Sequence, residues 1–245
     1  MLKDNRVRLG IARCVGYDAL FALILVFIGL TSPFHGGLDK IFSATMGNKT
    51  MPAGGYEQRM FAYNPAGFRV ALFCFAYQVK NLVNTFFWED GSHHLLHHGI
   101  CLVATWGVMY PGCAQFYAPF FAGITEISTF FLCLLSLFDD AHPDGYYHSY
   151  GLSAALPKTK LGIFIGFAIT VLLCSIVWPV MIYFIIKDCY FALQKGSPYS
   201  HGRRWILITV MATACLSVLQ IVWLYQVIRI AFTRDISDAE DLWLL

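Results

Sequence analysis

Long apolar runs separated by short polar segments dominate the chain. Crossing the hydrocarbon core of a bilayer takes a helix of roughly 20 mostly apolar residues, and six runs come close to that length or exceed it. They lie at approximately 11–30, 66–88, 94–111, 114–137, 161–186 and 205–232. The pattern predicts an all-α integral membrane protein with six transmembrane helices, and residues 1–245 form a single membrane domain in this interpretation.

The connections between the runs differ in length and character. Only Pro111-Gly112-Cys113 separates the third run from the fourth, which predicts a tight antiparallel helical hairpin. The fifth run contains Pro179, where we expect a kink, and it can continue as helix toward Leu193. The segment 31–65 is rich in Gly, Pro, Ser and Thr, and 139–160 is polar and turn-rich, so both are predicted loops.

Composition agrees with the membrane interpretation and narrows the partners. Of the 245 residues, 58% are hydrophobic and 13% are charged, whereas soluble domains carry about 25% charged residues. The net charge of +2 and the lack of a basic run argue against a nucleic-acid partner. The eight cysteines lie mostly in apolar stretches without a Cys-x-x-Cys pair, which favours packing roles over a disulfide framework or a zinc ribbon.

Topology rests on weaker signals. The basic N-terminus precedes an apolar run that is long for a signal peptide and has no small-residue cleavage site after it, so we interpret the run as a retained span. Lys and Arg near the span ends show no clear positive-inside bias. Asn48-Lys49-Thr50 is a glycosylation sequon, and its use would place the first loop in the lumen and both termini in the cytosol.

Polar side chains recur at similar depths in five of the six predicted spans. At a rise of about 1.5 Å per residue, they lie about 5–16 Å from the face shared by the N-terminus and the 88–93 loop. This set comprises Asp18, Lys80, Asn84, His97, His98, Glu126, Gln226 and Arg229. A shared polar cavity open to one face explains the coincidence. Interhelical hydrogen bonds for the amides, and snorkelling or a structural ion pair for Lys80, Asp18 and Glu126, are the alternatives.

A histidine run marks the start of the third span. Four of the eight histidines lie within residues 93–98, and His94, His97 and His98 share one helical face. A buried neutral imidazole can act as a general base or as an acyl acceptor, with Glu126 or Asp90 orienting the ring.

Two other interpretations of the histidine run remain open. His93 and His94 suit the membrane interface, where polar aromatic rings are stable. Metal binding is the other. The spacing resembles one box of the membrane di-iron enzymes, but His35, His142, His148 and His201 form no second box. A zinc site that includes Glu126 is still compatible with the sequence.

The stretch from Asp90 to Ser128 resembles the TLC-domain family, the membrane proteins related to ceramide synthases. An acidic residue precedes the family's His-His pair by seven positions, as Asp90 precedes His97. The apolar, Thr-containing run 99–106 follows the pair, and Thr125-Glu126-Ile127-Ser128-Thr129 lies where the family has His-Asp-x-Ser-Asp. Glu126 replaces the first Asp, and threonines replace the His and the second Asp. This form is more similar to the smaller, non-synthase branches.

The resemblance implies a barrel-like bundle around a lipid-accessible polar cavity, in the endoplasmic reticulum membrane. It implies a lipid acyltransferase that moves a fatty acyl group from acyl-CoA or a lipid donor to a lipid amine or hydroxyl. His97, His98 and Glu126 are then the expected catalytic residues. We expect substrate contacts from Lys80, Asp18, Asn84, Asp90, Gln226 and Arg229, of which Lys80 and Asp18 follow from depth alone. Acyl-CoA is the expected co-substrate; no tightly bound cofactor or metal is expected, and a homodimer is compatible.

The alternative function is a non-catalytic lipid-binding or regulatory protein of the same fold, which controls membrane lipid composition or trafficking. The altered acidic motif at 125–129 favours this alternative. A metal-dependent lipid hydroxylase or hydrolase is a third hypothesis.

Overall fold

The structure, a computed structural model, describes residues 12–31, 55–88, 92–138, 152–195 and 202–232. In these ranges every regular element is helical, which confirms the all-α prediction. A π-helical segment (Ala12–Ala19) continues as α1 (Leu20–Thr31), and a second π-helical segment (Phe120–Ile124) precedes α5. The remaining helices are α2 (Tyr56–Phe61), α3 (Pro65–Trp88), α4 (Ser92–Met109), α5 (Glu126–Leu135) with a 3-10 turn (Ser136–Phe138), α6 (Leu152–Ala155), α7 (Pro157–Lys195) and α8 (Arg203–Phe232).

Three helical stretches in the described part of the chain are long and apolar enough to cross a membrane. They are Phe120–Phe138, Pro157–Lys195 and Arg203–Arg229, and they overlap the last three predicted spans. Only 33% of the most apolar window of α7 and 17% of that of α8 is buried inside the protein. Exposing so much apolar surface to water is unfavourable, whereas the hydrocarbon core of a bilayer accommodates it. The chain is therefore an integral membrane protein.

Each of the six longer helices packs against at least two others. Among the described elements, α1 contacts α3, α3 contacts α4, α4 contacts α8, α8 contacts α7, α7 contacts α5, and α5 contacts α1. The short helix α2 packs against α7, and its Met60 and Phe61 are buried. The first three predicted spans overlap α1, α3 and α4, and their crossing of the membrane stays a prediction.

The start of α3 is determined by local sequence. Asn64 caps the helix, because its Oδ1 accepts hydrogen bonds from the backbone N–H groups of Ala66 at 3.0 Å and Gly67 at 3.1 Å. Pro65 occupies the first helical position, where its missing N–H is not needed. The Gln115 side chain joins this cap to α4: its Oε1 accepts from Asn64 N at 2.7 Å, and its Nε2 donates to the Val108 carbonyl at 3.1 Å.

The connection after α4 is longer than the predicted three-residue hairpin. Gly112 and Ala114 adopt φ angles of 70° and 61°, and helical structure resumes only at Ala118. The chain is held in turns because the Ala114 N–H donates to the Met60 carbonyl at 2.7 Å, which draws the segment beneath α2. Residues 113–120 are all buried as a result. This segment is a wall of the core and not an exposed loop.

Close backbone contact positions the helix that carries Glu126. A Cβ at Gly29 of α1 would lie 2.8 Å from the Pro119 carbonyl oxygen and 2.9 Å from the Ile124 nitrogen. A Cβ at Gly123 would lie 3.0 Å from the Gly29 Cα. Only two glycines allow this approach between α1 and the second π-helical segment. This crossing therefore fixes the position of α5 along the axis of α1.

We expect Gly67→Ala to destabilise the fold, because its Cβ would lie 1.9 Å from the backbone carbonyl oxygen of Gln115. Backbone atoms cannot rotate away, so the expected loss is about 1–3 kcal/mol or more in the free energy of unfolding. Thermal unfolding in detergent measures it. Gly99→Ala is the matched control, since nothing lies within 4 Å of its Cβ. Equal Tm values for the two variants would contradict the assigned contact.

Candidate functional site

A cavity with an empty volume of about 710 Å³, including its open part, lies among α3, α4, α7, α8 and the segment before α5. Most of the lining is apolar or small, and the polar groups are few. The lining residues are Ala71, Cys74, Cys101, Ala104, Thr105, Val108, Ala114, Tyr117, Ala118, Phe121, Ala122, Glu126, Trp178, Ile185, Thr209, Ala212, Thr213 and Leu216. Such a space suits an apolar ligand with one polar end.

Glu126 is the carboxylate in this lining. It is the first residue of α5, directly after the π-helical segment, and its side chain forms a hydrogen bond with that of Thr129. Glu126 is close enough to Cys74 and Cys101 to interact with them electrostatically. The end of the cavity near Cys74 and Cys101 is therefore its acidic end.

His98 lies one helical turn beyond that end. Its Nδ1 is 2.7 Å from Oε1 of Gln78, a side chain that is only 1% exposed. The other half of the Gln78 amide, Nε2, donates to Cys74 Sγ at 3.8 Å, so the amide oxygen faces the ring. A carbonyl oxygen only accepts, so this contact is a hydrogen bond when Nδ1 of His98 carries a proton. In this orientation the Gln78 amide favours the tautomer with the proton on Nδ1 and the lone pair on Nε2.

His97 is packed differently from its neighbour. Both of its ring nitrogens lie within 3.9 Å of Cys101 Sγ, and its ring meets that of Trp223 on α8 edge-on at 5.1 Å. The two histidine rings are 5.3 Å apart, and His94 stacks on His98 at 6.3 Å. The predicted shared face of the three histidines is therefore present, with His97 directed toward α8 and His98 toward α3.

A family model of the TLC domain matches residues 16–229 of the chain. The chain belongs to the TLC-domain family. The match runs from the first π-helical segment to the last turns of α8, and it confirms the resemblance found around the histidines. No curated protein and no solved structure matches the chain. TLC domains are lipid-related membrane proteins, and the family includes both synthases and non-catalytic members.

In this TLC domain, Lys80 and Asp18 form an ion pair with each other between α3 and the first π-helical segment. Lys80 Nζ also donates to Asn81 Oδ1 at 3.0 Å and lies over the rings of Tyr17 and Tyr77, 5.0 and 5.8 Å from their centroids. Neither member of the pair is in the cavity lining. The arrangement matches the structural ion pair that the sequence left open.

The other predicted contacts are spread out. Asn84 is partly buried one turn after Lys80 on α3, and Arg229 lies exposed in the last turn of α8. Asp90 and the sequon at Asn48 fall outside the described residues, as does the side chain of Gln226. The assignment of these residues to substrate binding, and the topology that the sequon implies, stay predictions.

A buried ionic cluster at the other end of the TLC domain is the main feature that sequence reasoning missed. Asp188, on α7, is 1% exposed and accepts from Arg59 Nε at 2.6 Å and Nη2 at 2.7 Å. The hydroxyl of Tyr117 donates to the same carboxylate. The signal was present, because Asp188 interrupts an apolar run, but Arg59 lay in a segment predicted as loop.

Gln78 was also missed, although it is a polar residue inside a predicted span. The polar residues noted at that depth of α3 were Lys80 and Asn84, and depth alone does not reveal which side chain faces α4. As for a metal centre, the described residues contain no group of three or more His, Cys, Asp or Glu side chains placed to hold an ion.

Proposed function

We propose that this TLC domain is a membrane lipid acyltransferase, which moves a fatty acyl group from acyl-CoA to the amine or hydroxyl of a lipid. In this proposal six helices cross the endoplasmic reticulum membrane as a barrel around the cavity, with both termini in the cytosol. The family membership, the apolar cavity and the histidine pair one helical turn from its lining residue Cys101 support the proposal.

The hydrogen bond between His98 Nδ1 and Gln78 carries the proposal. A general base needs a lone pair at a defined position, and a partner on the second ring nitrogen provides both the tautomer and the orientation. The Gln78 amide is itself held by Cys74, so it presents an acceptor at a fixed position to the ring. His98 is therefore the proposed base, and Gln78 is its positioning residue.

The reaction follows from these positions. His98 Nε2 removes the proton from the acceptor amine or hydroxyl as that group attacks the thioester carbonyl carbon. The new C–N or C–O bond forms, the C–S bond breaks, and the departing thiolate takes the proton from the imidazolium. Glu126 would stabilise the imidazolium charge from the same end of the cavity. The acyl chain would occupy the apolar cavity. The phosphates of the donor would stay at the membrane face where Arg229 lies, in the last turn of α8.

A non-catalytic lipid-binding role is the second candidate. Threonine occupies positions 125 and 129, where the synthase pattern has histidine and aspartate, and the hydroxyl of Thr125 is bound to the Phe121 carbonyl at 2.9 Å. The acidic motif thus retains a carboxylate only at Glu126. In this role the cavity would hold a lipid without converting it.

Purified protein in nanodiscs, supplied with labelled acyl-CoA and a panel of lipid amines and hydroxyls, tests the proposal. We expect an acylated lipid and an equivalent amount of released CoA thiol. A copurified intact lipid, with no product from any acceptor in the panel, would support the lipid-binding role instead.

We expect Gln78→Leu to lower kcat by about 10–100-fold, since a hydrogen bond to a group that becomes charged contributes about 1.5–3 kcal/mol. Gln78→Glu should recover most of the rate, because its carboxylate also accepts from Nδ1 of His98. Steady-state kinetics on protein with unchanged Tm measures both. If Gln78→Glu lowered the rate as much as Gln78→Leu, that result would contradict the role of Gln78 in positioning His98.

A further inference from the structure

We propose that Tyr117, latched to Asp188 and Arg59, is the end stop of the cavity and thereby limits the length of the acyl chain that the protein accepts. The identity of the ligand as an acyl chain rests on the proposed function. The stop itself rests on the cavity lining and on the buried ionic cluster.

The cavity has two distinct ends along its length. Its lining residues on α4 run from Cys101 to Val108, those on α7 from Trp178 to Ile185, and those on α8 from Thr209 to Leu216. Each set covers seven residue steps, which is about 10 Å along a helix. Glu126 lies at the Cys101 end, one turn from the histidines. The opposite end therefore lies about 15 Å from the reacting groups along α4.

Tyr117 belongs to that opposite end. Its hydroxyl reaches Asp188, which lies three residues beyond Ile185 on α7. The backbone around it is closed from outside by α2, since the Ala114 N–H is bonded to the Met60 carbonyl. Met60 and Phe61 are buried in one apolar cluster with Tyr117, so packed side chains lie beyond the ring. A chain that extends past this point would have to displace the ring.

The ring is held by more than packing. Tyr117 is 1% exposed, and its hydroxyl donates one of the hydrogen bonds that the buried Asp188 carboxylate accepts. Rotating the Tyr117 ring away would remove one hydrogen-bond donor from the buried Asp188 carboxylate. This rotation is unfavourable in free energy, because little water is present to replace the lost donor. Arg59 fixes Asp188 through two parallel hydrogen bonds, and this geometry is more rigid than a single contact.

The rest of the cavity leaves the stop as the limiting element. The side chains between the two ends include alanines at Ala104, Ala118, Ala122 and Ala212, beside the larger Phe121, Trp178 and Leu216. The larger side chains form the walls of the cavity, and the distance from the reacting end to Tyr117 determines how many methylenes fit. The same alanines offer positions at which the cavity can be shortened deliberately.

Acyl-chain competition in Tyr117→Ala tests the stop. We expect kcat/KM for donors longer than the wild-type optimum to rise about tenfold relative to the optimal donor, because each extra methylene gains space to be buried. Ala104→Leu should shift the preference in the opposite direction, toward shorter donors. Tyr117→Phe retains the ring but removes its hydrogen bond to Asp188, and it should shift the length preference less than Tyr117→Ala does. Tyr110→Ala, at an exposed tyrosine outside the cavity, is the matched control.

The chain length of lipids that copurify with each variant provides a second readout, independent of catalysis. Longer bound chains in Tyr117→Ala and shorter ones in Ala104→Leu would uphold the stop even if no acyl transfer were found, in which case only the proposed activity fails. Unchanged chain length in both variants, whether measured by transfer or by bound lipid, would overturn the stop. A shift in Tyr117→Phe as large as that in Tyr117→Ala would also overturn it, since the ring would then not be the barrier.

Discussion

His98→Ala is expected to lower the rate of acyl transfer by about 10²–10⁴-fold, the usual contribution of a positioned general base. The residue can be removed without leaving a charged group behind, and Gln78 remains beside the space. Single-turnover transfer from labelled acyl-CoA, measured in nanodiscs, separates the chemical step from substrate binding. Binding of the donor should change little, because the acyl chain occupies the cavity and not the ring.

Two variants on the same helix serve as controls for His98→Ala. His94→Ala removes a ring that stacks on His98 at 6.3 Å and lies nearer the start of α4, and it should keep most of the rate. His97→Ala removes the ring that contacts Trp223. We expect it to lower the rate of acyl transfer less than His98→Ala does. Full transfer activity in the double variant His97→Ala/His98→Ala would sink the assigned mechanism, because acyl transfer would then proceed without either histidine.

Asp188→Ala is expected to destabilise the protein by about 3–5 kcal/mol, because removing one member of a buried ion pair leaves the other charge uncompensated. The side chains of Arg59 and Asp188 are 11% and 1% exposed, so little water can reach Arg59 to replace the lost carboxylate. The first consequence should be release of α2, whose Arg59 and Met60 both bind the core. Thermal or denaturant unfolding in detergent measures the loss.

Removing the whole cluster should cost much less than removing one member. Arg59→Met/Tyr117→Phe/Asp188→Leu replaces all three polar members of the cluster together, and apolar replacements of buried ion pairs are often neutral or stabilising. Glu57→Ala is the surface control on α2, with an expected change within about 0.5 kcal/mol. A loss below about 1 kcal/mol in Asp188→Ala would show that the pair does not hold α2.

Much of the candidate site could be predicted because it depends on local spacing. The histidines share a face as soon as 92–109 is helical, since residues three and four apart lie side by side. Glu126 was found through the motif at 125–129. Depth along the spans placed Lys80 and Asp18 at one level, but it does not distinguish a cavity wall from an ion pair, and in the structure the two bind each other.

Other features could not be predicted because they depend on how the helices are rotated and joined. Gln78 and Asn81 are close in sequence and depth, yet Gln78 binds His98 on α4, whereas Asn81 binds Lys80. A small difference in angle around α3 separates these roles. Likewise, the hairpin prediction after α4 failed because Ala114 bonds to Met60, a residue more than fifty positions earlier in the chain.

The sequence by itself determined the all-helical class, the membrane character, the family and the shared face of the histidines. These follow from composition and from short-range periodicity, which are properties of a helix before it packs. Only the tertiary structure decided the contact of His98 with Gln78, the place of Tyr117 in the cavity lining and the pairing of Arg59 with Asp188, which are 129 residues apart. Such contacts depend on helix rotation and close packing, and no local pattern in the chain encodes them.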